Sequence, residues 1–433
     1  MAEFILKDQY GKEKVFDHDK IFVQGTDGEL VQFTQGAGVS PDVCYVTFMS
    51  YDGLTEYGKK PVAVGDDCAD PIARGIFSTP TREWDGTYDY EFAEKWSETI
   101  GGNSNGTELQ DVTENKTLYA VFNRVAISYR GTCGTNVQWR LNKNGTLTIY
   151  GTGDMTTLSS STNYPWNKYL SSIKKVVIED GVTSIGDYAF RDYTNLTSVS
   201  IPEGISALPT MCFMGCSKLN NVIIPDSCTT LGMSVFNGCT NLKSINIPNG
   251  VVSINQHAFR SCTSLLSVTL PDGLTEINSN VFNGCTNLQS VNIPDECTSI
   301  GSTAFGGCTS LTSITIPANV SSVQNAFDGC SNLSSVTIIG GNVSLYIKYA
   351  AFQNCNSLTS IIIPERVNKI GRMAFNGCTS LVDATFITPV GWYVADKDTA
   401  TSGTDIPSAD LSNKSTAATY LTSTYVGQYW LRT

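Results

Sequence analysis

Histidine is the residue most often used for acid–base catalysis and zinc binding, and this chain of 433 residues has only two, His18 and His257. Two histidines are too few for a histidine-rich zinc centre, and no HExxH pair occurs. His257 lies two residues before Phe259, where similar segments carry tyrosine, methionine, serine or asparagine, so we interpret it as a rim residue. No GxSxG or phosphate-binding loop accompanies it, and the sequence therefore predicts no enzyme.

Acidic segments are the next candidates for chemistry. The segment "DHDKIFVQGTDGE" does not fit a calcium loop, because Ile21 and Gln24 stand where an oxygen ligand and the turn glycine are needed. The segment "GDDCADP" gathers Asp66, Asp67 and Asp70, but aspartates beside glycine and proline usually form turns. A calcium site near Asp66 and Asp67 stays open, and we predict no other metal or cofactor.

Fourteen cysteines form the third group, and eight of them recur at nearly constant intervals. These eight are Cys216, Cys239, Cys262, Cys285, Cys308, Cys330, Cys355 and Cys378. In a stack of parallel strands their Cβ atoms would lie about 4.8 Å apart, farther than the ~3.8 Å of a disulfide. We therefore predict reduced, buried thiols that pack as small apolar residues. The states of Cys44, Cys68 and Cys133, which lie outside this series, stay open.

Each of the eight cysteines follows a phenylalanine by three residues, and the phenylalanines define the repeat. They are Phe190, Phe213, Phe236, Phe259, Phe282, Phe305, Phe327, Phe352 and Phe375. Seven of the intervals are 23 or 22 residues and one is 25. A strand motif that recurs every 20 to 29 residues is typical of a leucine-rich solenoid.

Each repeat contains two short apolar patterns. One reads as Leu242, Ile245 and Ile247, usually followed by a proline such as Pro248 that ends the strand. The other is a pair like Val182 and Ile185. One coil cannot bury these side chains alone, so stacked coils must align them in continuous ladders along parallel strands. The predicted fold class is a repeat solenoid of about 23-residue leucine-rich repeats with a small all-β domain before it.

The recurring pattern "LxxVxIPxxVxxIGxxAFxxCxx", from about Ile173 to Phe386, resembles the BspA-like leucine-rich repeats of bacterial and protist surface proteins. The resemblance implies adhesion to host or matrix proteins and carries no catalytic residues over. Residues 171–386 are the predicted solenoid. Residues 124–170 contain a hairpin with an Asn144-Gly145 turn and Trp166, and we predict that they cap its first coil.

The segments outside the array suggest further modules. Residues 37–123, with "YDYEFAEKW" and "VTENKTLYAVF", are similar to internalin-type B repeats, a β-grasp-like module that occurs beside leucine-rich repeats. Residues 1–36 contain short strand patterns separated by turns, and we interpret them as an attachment or docking segment. Residues 387–433 are rich in serine, threonine and alanine and are predicted to form a C-terminal cap.

Charge limits the partners. The formal net charge of −12, from 40 acidic and 28 basic residues, disfavours nucleic acid and anionic membranes. The first residues lack the pattern of a standard signal peptide, and no apolar stretch is long enough to span a membrane. Display outside a cell would need another route, unless the sequence begins after processing. We expect an extracellular or virion-surface location, with the cell surface as the alternative.

Two regions are candidates for ligand binding. The first is the outward face of the repeated strand, with Ile223, Asn246, Thr269, Asn292 and Thr315 among rows of small polar residues. It is either a plain solvated sheet face or a broad contact surface. The second is the one lengthened coil, which carries Tyr346, Lys348 and Tyr349. It is either a neutral insertion or a binding site, since insertions in solenoids often mark the binding side.

The sequence thus predicts a non-enzymatic recognition protein that binds a protein or glycan on a cell or matrix surface. In the preferred version it is a phage tail fibre or receptor-binding protein, attached to virion tail proteins through residues 1–36. A bacterial adhesin is the first alternative. A structural scaffold without a specific ligand is the second.

Overall fold

A computed structural model describes residues 125–432 throughout and, before them, only strands. The chain divides into two units, residues 1–124 and 125–433. The strands that begin in the first unit are Phe4–Lys7, Glu13–Phe16, Ile21–Gln24, Leu30–Phe33, Val43–Met49, Glu56–Ala63, Tyr88–Ser97 and Lys116–Thr132. Val43–Met49 pairs antiparallel with Glu56–Ala63, and Phe48 contacts Trp96 edge to face at 4.8 Å.

Several predictions fall on residues that the structure does not describe. His18, Cys68 and the Asp66–Asp70 segment lie outside the described residues, and so does the side chain of Cys44. The similarity of residues 37–123 to B repeats and the docking role of residues 1–36 stay predictions. The domain boundaries stay predictions as well.

The second unit opens with the predicted hairpin. Its strands Val137–Asn142 and Thr146–Gly151 pair antiparallel, and Gly145 in the turn has a φ of +89°, which glycine adopts without strain. A two-residue strand Gly153–Asp154 and the short 3-10 helices Ser161–Asn163 and Asn167–Tyr169 follow. These elements lead the chain into the first coil of a solenoid of about nine coils.

Nearly every coil contributes one strand to each of two parallel ladders. In both ladders the inward side chains are buried and the alternate side chains point outward. The first ladder contains Lys175–Ile178, Ser198–Ser200, Asn221–Val222, Ser267–Val268, Ser290–Val291, Ser313–Ile316, Ser335–Ile338, Ser360–Ile363 and Asp383–Phe386. The second ladder contains Val182–Ser184, Ala207–Leu208, Thr230–Leu231, Ser253–Ile254, Glu276–Ile277, Ser299–Ile300, Ser322–Val323, Leu345–Ile347 and Val367–Ile370.

The register confirms the period of the sequence. Lys175 pairs with Ser198 and Ser198 with Asn221, a shift of 23 residues at each step. The strand hydrogen bonds of the ladders are interrupted in places, although the inward side chains stay aligned. Residues 243–249, for example, belong to no strand, although Ile245 and Ile247 still point into the core.

The continuous connection runs instead through the phenylalanine turn, which we define as the five residues centred on each phenylalanine of the repeat. The residues two before and two after the phenylalanine both have a positive φ, 49° to 62° and 58° to 79° respectively. This alternation points the amides at these two positions and at the phenylalanine toward the next coil. Thus Tyr188, Phe190 and Asp192 donate to the carbonyls of Thr210, Cys212 and Met214 at 2.7–3.0 Å.

The nine phenylalanine rings stack in the centre of the core. Neighbouring ring centroids lie 5.3–5.7 Å apart, with planes within 16° of parallel. All nine rings are fully buried. Stacked aromatic rings contribute beyond their buried area, so this column supports every junction between coils.

The eight cysteines of the repeat, Cys216 to Cys378, form a column through the core, which we call the cysteine column. The column is buried and reduced, as predicted, and it also forms hydrogen bonds. Each thiol donates to the carbonyl of the phenylalanine in the preceding coil, as Cys285 does to Phe259, with Sγ–O distances of 3.1–3.3 Å throughout. Cys133 is a buried free thiol too. A thiol in this column is therefore both a small apolar side chain and a donor to a buried carbonyl.

Both ends of the array are covered. At the first coil, Tyr164 donates through its hydroxyl to the Asp187 carbonyl at 2.9 Å, and Trp166 donates through Nε1 to the Ala189 carbonyl at 3.1 Å. Trp166 also stacks on Phe190, with centroids 5.9 Å apart. These side chains replace the amide donors that a preceding coil would supply.

The C-terminal cap covers the last coil. It contains strands Trp392–Ala395, Thr404–Asp405 and Tyr429–Arg432, helices Ser408–Ser412 and Lys414–Thr419, and a π-helical turn Tyr420–Thr424. Tyr429–Arg432 pairs antiparallel with the last strand of the second ladder, and Trp430 stacks on Phe386 at 5.9 Å. The Val426 carbonyl accepts from the Met373 amide at 2.6 Å, so the cap also terminates the phenylalanine turns.

Candidate functional site

The three residues of the lengthened coil do not form one cluster. Tyr346 lies on the second ladder, half-buried, with the ammonium groups of Lys348 and Lys369 5.9 and 5.8 Å from its ring centre. Tyr349 is 45% exposed, and its hydroxyl contacts the Met373 sulfur at 3.6 Å instead. Cation–π attraction therefore orders Tyr346 and its lysines, while Tyr349 presents its ring separately.

Tyr346 also faces the C-terminal cap. Burial raises the pKa of its hydroxyl to about 12, with smaller contributions from the nearby Asp398 and Tyr429. Lys369 donates to the Asp398 carbonyl at 3.2 Å. Part of the Tyr346 ring is thus used to join the array to its cap, and less of it is available to a ligand.

Arg366 organises the lengthened coil, and sequence reasoning missed it. The side chain is buried, and its guanidinium donates to the carbonyls of Pro317, Val320, Ile339 and Val343 at 2.6–3.3 Å. Burial lowers its pKa. A buried charge needs such partners, and here they are carbonyls of two neighbouring coils. The loss of the usual proline in the lengthened coil was the signal that could have pointed to an unusual stabilising contact.

The candidates on the first ladder lie on a different surface from Tyr346. Ile223, Asn246, Thr269 and Thr315 are exposed, with Ile223 at 70%. Asn292 is exposed but engaged, because its amide group accepts from the Leu270 N–H at 2.8 Å and donates to the Leu270 carbonyl at 3.1 Å. It bridges two coils and so has a structural function besides any contact with a ligand.

A shallow depression of about 340 Å³ lies on this surface. It is lined by Asn220, Asn221, Val222, Ser244, Ile245, Asn246, Ser267, Val268 and Thr269. It coincides with residues 243–249, where the strand hydrogen bonds of the first ladder are interrupted. Within the described part of the chain, the depression therefore combines side-chain hydroxyls and amides with backbone polar groups that no neighbouring strand uses.

Comparison with known families agrees with the geometry of the coils. The family model of the BspA type leucine rich repeat region matches residues 166–289 and 275–391 in six copies, just over half of the chain. The chain belongs to this family. The resemblance seen in the repeats is thereby confirmed, and so is the solenoid of leucine-rich repeats with parallel ladders. A comparison with curated proteins gives no match.

Solved structures similar to this BspA-type chain include proteins named for their leucine-rich repeats. One from Bacteroides ovatus is 21% identical and covers 61% of this chain and 88% of its own, with a TM-score of 0.34. The pneumococcal vaccine antigen PcpA is 15% identical, with coverages of 61% and 83% and a TM-score of 0.39. A leucine rich cell surface protein from Faecalibacterium prausnitzii is 23% identical, with coverages of 49% and 95% and a TM-score of 0.22.

The residues considered for catalysis have ordinary positions in the BspA-type array. His257 is half-buried at the left-handed position of its phenylalanine turn, with a φ of 62°. Partial burial lowers its pKa, and Arg260 adds to the effect. Among the residues whose placement is described, no three His, Cys, Asp or Glu side chains come close enough to hold a metal ion. The helices of that part are also too short and too polar to cross a membrane.

Proposed function

We propose that this chain is a recognition protein that binds a protein or glycan surface through the outward face of its first ladder. The observation that carries the proposal is that different residues of each coil stabilise the array and form its exposed surface. The inward residues, the phenylalanine turns and the cysteine column hold the array together, and the exposed Ser, Thr and Asn side chains of the first ladder are largely free of that task. Solenoid proteins commonly use such extended rigid faces for binding.

The place of display has two versions. Membership of the BspA-type family supports a bacterial surface, because surface adhesion is what the resemblance implies. Assembly into a phage tail, with residues 1–36 attached to tail proteins, is the other version. Antibody labelling of intact cells, compared with labelling of purified phage particles from the same source, distinguishes the two.

Arginine substitutions on the two surfaces of the array test the binding face. We expect Thr269→Arg with Thr315→Arg to remove adsorption to the native cell or matrix target, because bulky charges cover a neutral contact surface. The matched control is Gln256→Arg with Gln324→Arg, on exposed positions beside the phenylalanine turns. Equal adsorption of both double variants would reject the first ladder as the binding face. A wild-type chain that adsorbs to no surface would favour a plain scaffold.

The lengthened coil is a second candidate, favoured by the exposed ring of Tyr349 and the lysines beside Tyr346. Tyrosine offers a large contact area at a low entropic cost. Replacement of Tyr346 and Tyr349 by serine in a variant with unchanged melting should weaken adsorption if this coil binds. Full adsorption by the stable double variant would remove it from consideration.

A further inference from the structure

The first ladder has a basic border. The strands of the early coils begin beside Lys174, Lys175, Lys218 and Lys243, all of which are exposed. Lys218 donates to the Asn195 side chain at 2.7 Å, and none of the four forms an ion pair within residues 125–432. Four cations along the same edge of neighbouring coils therefore face solvent without a carboxylate partner.

The opposite border of the same strands is acidic. The turns after the strands carry Asp180, Glu203, Asp226, Asp272 and Asp295, all exposed. Glu203 accepts from the backbone amides of Asp226 and Ser227, and the array supplies no basic side chain to any of these carboxylates in the part that the structure describes. The strand face thus has a positive edge where the strands begin and a negative edge where they end.

The depression lies between these two borders. Lys218 and Lys243 stand at its basic side and Asp226 and Asp272 at its acidic side. Its floor is neutral, and Ile223 beside it is the most exposed large apolar side chain of the described residues. Lys243 and Asp272 lie in neighbouring coils. Within its coil, Asp272 lies six residues beyond the position equivalent to Lys243, so the two borders are separated by at most about 20 Å of extended chain.

The charge pattern belongs to this face rather than to the whole molecule. Residues 125–433 contain 17 basic and 18 acidic residues, whereas residues 1–124 contain 11 and 22. Because the array as a whole is nearly neutral, the separated borders act as a local dipole across the strands. A partner that crosses the strands can satisfy both borders only if its own charges are separated in the opposite order.

The size of the face selects among occupants. Nine coils at about 4.8 Å and strands about 13 Å long give roughly 550 Å², below the ~800 Å² per partner of a stable protein interface. A second copy stacked face to face is therefore undersized. A neutral glycan would use the floor but leave both charged borders without partners. An extended peptide segment fits both the floor and the borders.

We propose that the depression between Lys218 and Lys243 on one side and Asp226 and Asp272 on the other binds an extended peptide segment of a partner protein. The segment carries acidic residues at one end and basic residues at the other, about five residues apart. Its polar backbone lies over Asn221, Ser244, Asn246 and Thr269, where the first ladder is interrupted. This inference rests on the recognition function proposed above and names its ligand class.

A set of heptapeptides tests the proposal with the full chain. The probe has two glutamates at one end and two lysines at the other, separated by Ser-Ala-Ser. Its controls carry four glutamates, four lysines, or alternating charges around the same spacer. Calorimetric titration at low salt should show the tightest binding for the probe, and binding should weaken at 0.3 M salt because the borders are exposed.

Substitutions at the borders link the binding to these residues. Lys218→Glu with Lys243→Glu should lower the affinity for the probe peptide about tenfold, as expected when two attractive surface ion pairs become repulsive. Addition of Asp226→Lys and Asp272→Lys should restore binding, because the peptide can reverse its direction. The matched control, Arg260→Glu with Lys397→Glu, changes charge at exposed positions outside the first ladder and should leave the affinity unchanged. Melting curves check that every variant is folded.

Three results would overturn the proposal. They are absence of probe binding, equal binding of the control peptides that carry only glutamates or only lysines as charged residues, and unchanged affinity in the Lys218 and Lys243 double variant. Binding of a neutral maltoheptaose that is indifferent to the border charges would indicate a glycan site instead, and would overturn it too. If peptide binding fails while adsorption to cells still depends on Thr269 and Thr315, the recognition function stands and only the ligand class is wrong.

Discussion

Alkaline pH should unfold this array through its cysteine column. Each of the eight thiols is buried and donates to a phenylalanine carbonyl, so the native state strongly prefers the protonated form. Burial raises the pKa of Cys285, Cys330 and Cys378 to about 12, from an ordinary value of 9.0, and the other five are raised as well. In the unfolded chain the thiols titrate near the ordinary value.

The sign and size follow from proton linkage. Below pH 9 both states keep their thiol protons, and this contribution to stability is fully present. As pH rises above 9 the unfolded state loses protons that the native state retains, so the free energy of unfolding falls. The loss is about 1.4 kcal/mol per thiol for each pH unit, or about 11 kcal/mol for eight thiols at pH 10. Since a typical protein is stable by about 5–15 kcal/mol, the array should unfold near pH 10.

Guanidinium titrations followed by far-ultraviolet circular dichroism, at pH 7 to 10.5 with a phosphine reductant, measure the effect. The slope between pH 9 and 10 gives the number of protons released on unfolding. The column should contribute about six, and the buried Cys133, Cys212, Cys228 and Cys297, whose pKa values are also raised, add to it. A variant with serine at Cys239, Cys262, Cys285 and Cys308 keeps hydrogen-bond donors at these positions but loses four titrating thiols, and its slope should be lower by about three protons. A wild-type slope below two protons would refute the interpretation of the column as buried thiols.

Three further outcomes are expected from the packing. Phe282→Ala should lower the free energy of unfolding by about 3–5 kcal/mol because it opens a cavity in the ring stack, and an unchanged denaturant midpoint would mean that the rings are not stacked. Arg366→Met should cost about 2–4 kcal/mol by leaving buried carbonyls without donors, whereas the exposed-site control Arg372→Met should cost less. Denatured, unreduced protein should react with Ellman's reagent at eight or more thiols, and four or more disulfides would contradict the column geometry.

The features that the sequence revealed are those that depend on periodicity. The phenylalanines, the cysteines and the inward pairs such as Val182 and Ile185 recur at a fixed interval, and stacked coils are the arrangement that buries all of them. The hairpin before the array was accessible because Asn144-Gly145 is a strong turn signal between alternating residues. Pattern and turn chemistry were sufficient for these elements.

The features that escaped prediction depend on backbone direction. The position two residues before each phenylalanine has a positive φ and is occupied by residues such as Tyr188, His257, Thr303 and Ala350. Unlike glycine, these residue types do not indicate a positive φ in a sequence. Tertiary hydrogen bonds impose this conformation. The thiol donation has the same origin, since it depends on where a phenylalanine carbonyl points.

The candidate site was predicted only in part. Outward positions of a strand follow from alternation, so the exposure of Asn246 and Thr269 was accessible. Alternation could not show that Asn292 bridges two coils, that Tyr349 turns toward Met373, or that Arg366 holds the lengthened coil. These contacts join residues from neighbouring coils whose side-chain directions depend on the local backbone.

The one-way direction of the phenylalanine turns has a consequence for assembly. The inter-coil amides of these turns all point toward the C-terminal end, so an uncapped array would present donors at one end and matching acceptors at the other. Such ends are complementary to each other, and head-to-tail contacts of this kind do not close into a dimer but continue as a fibre. Tyr164 and Trp166 occupy the acceptors, and the Val426 carbonyl occupies a donor. The two caps thus occupy backbone groups through which a further array could otherwise add end to end.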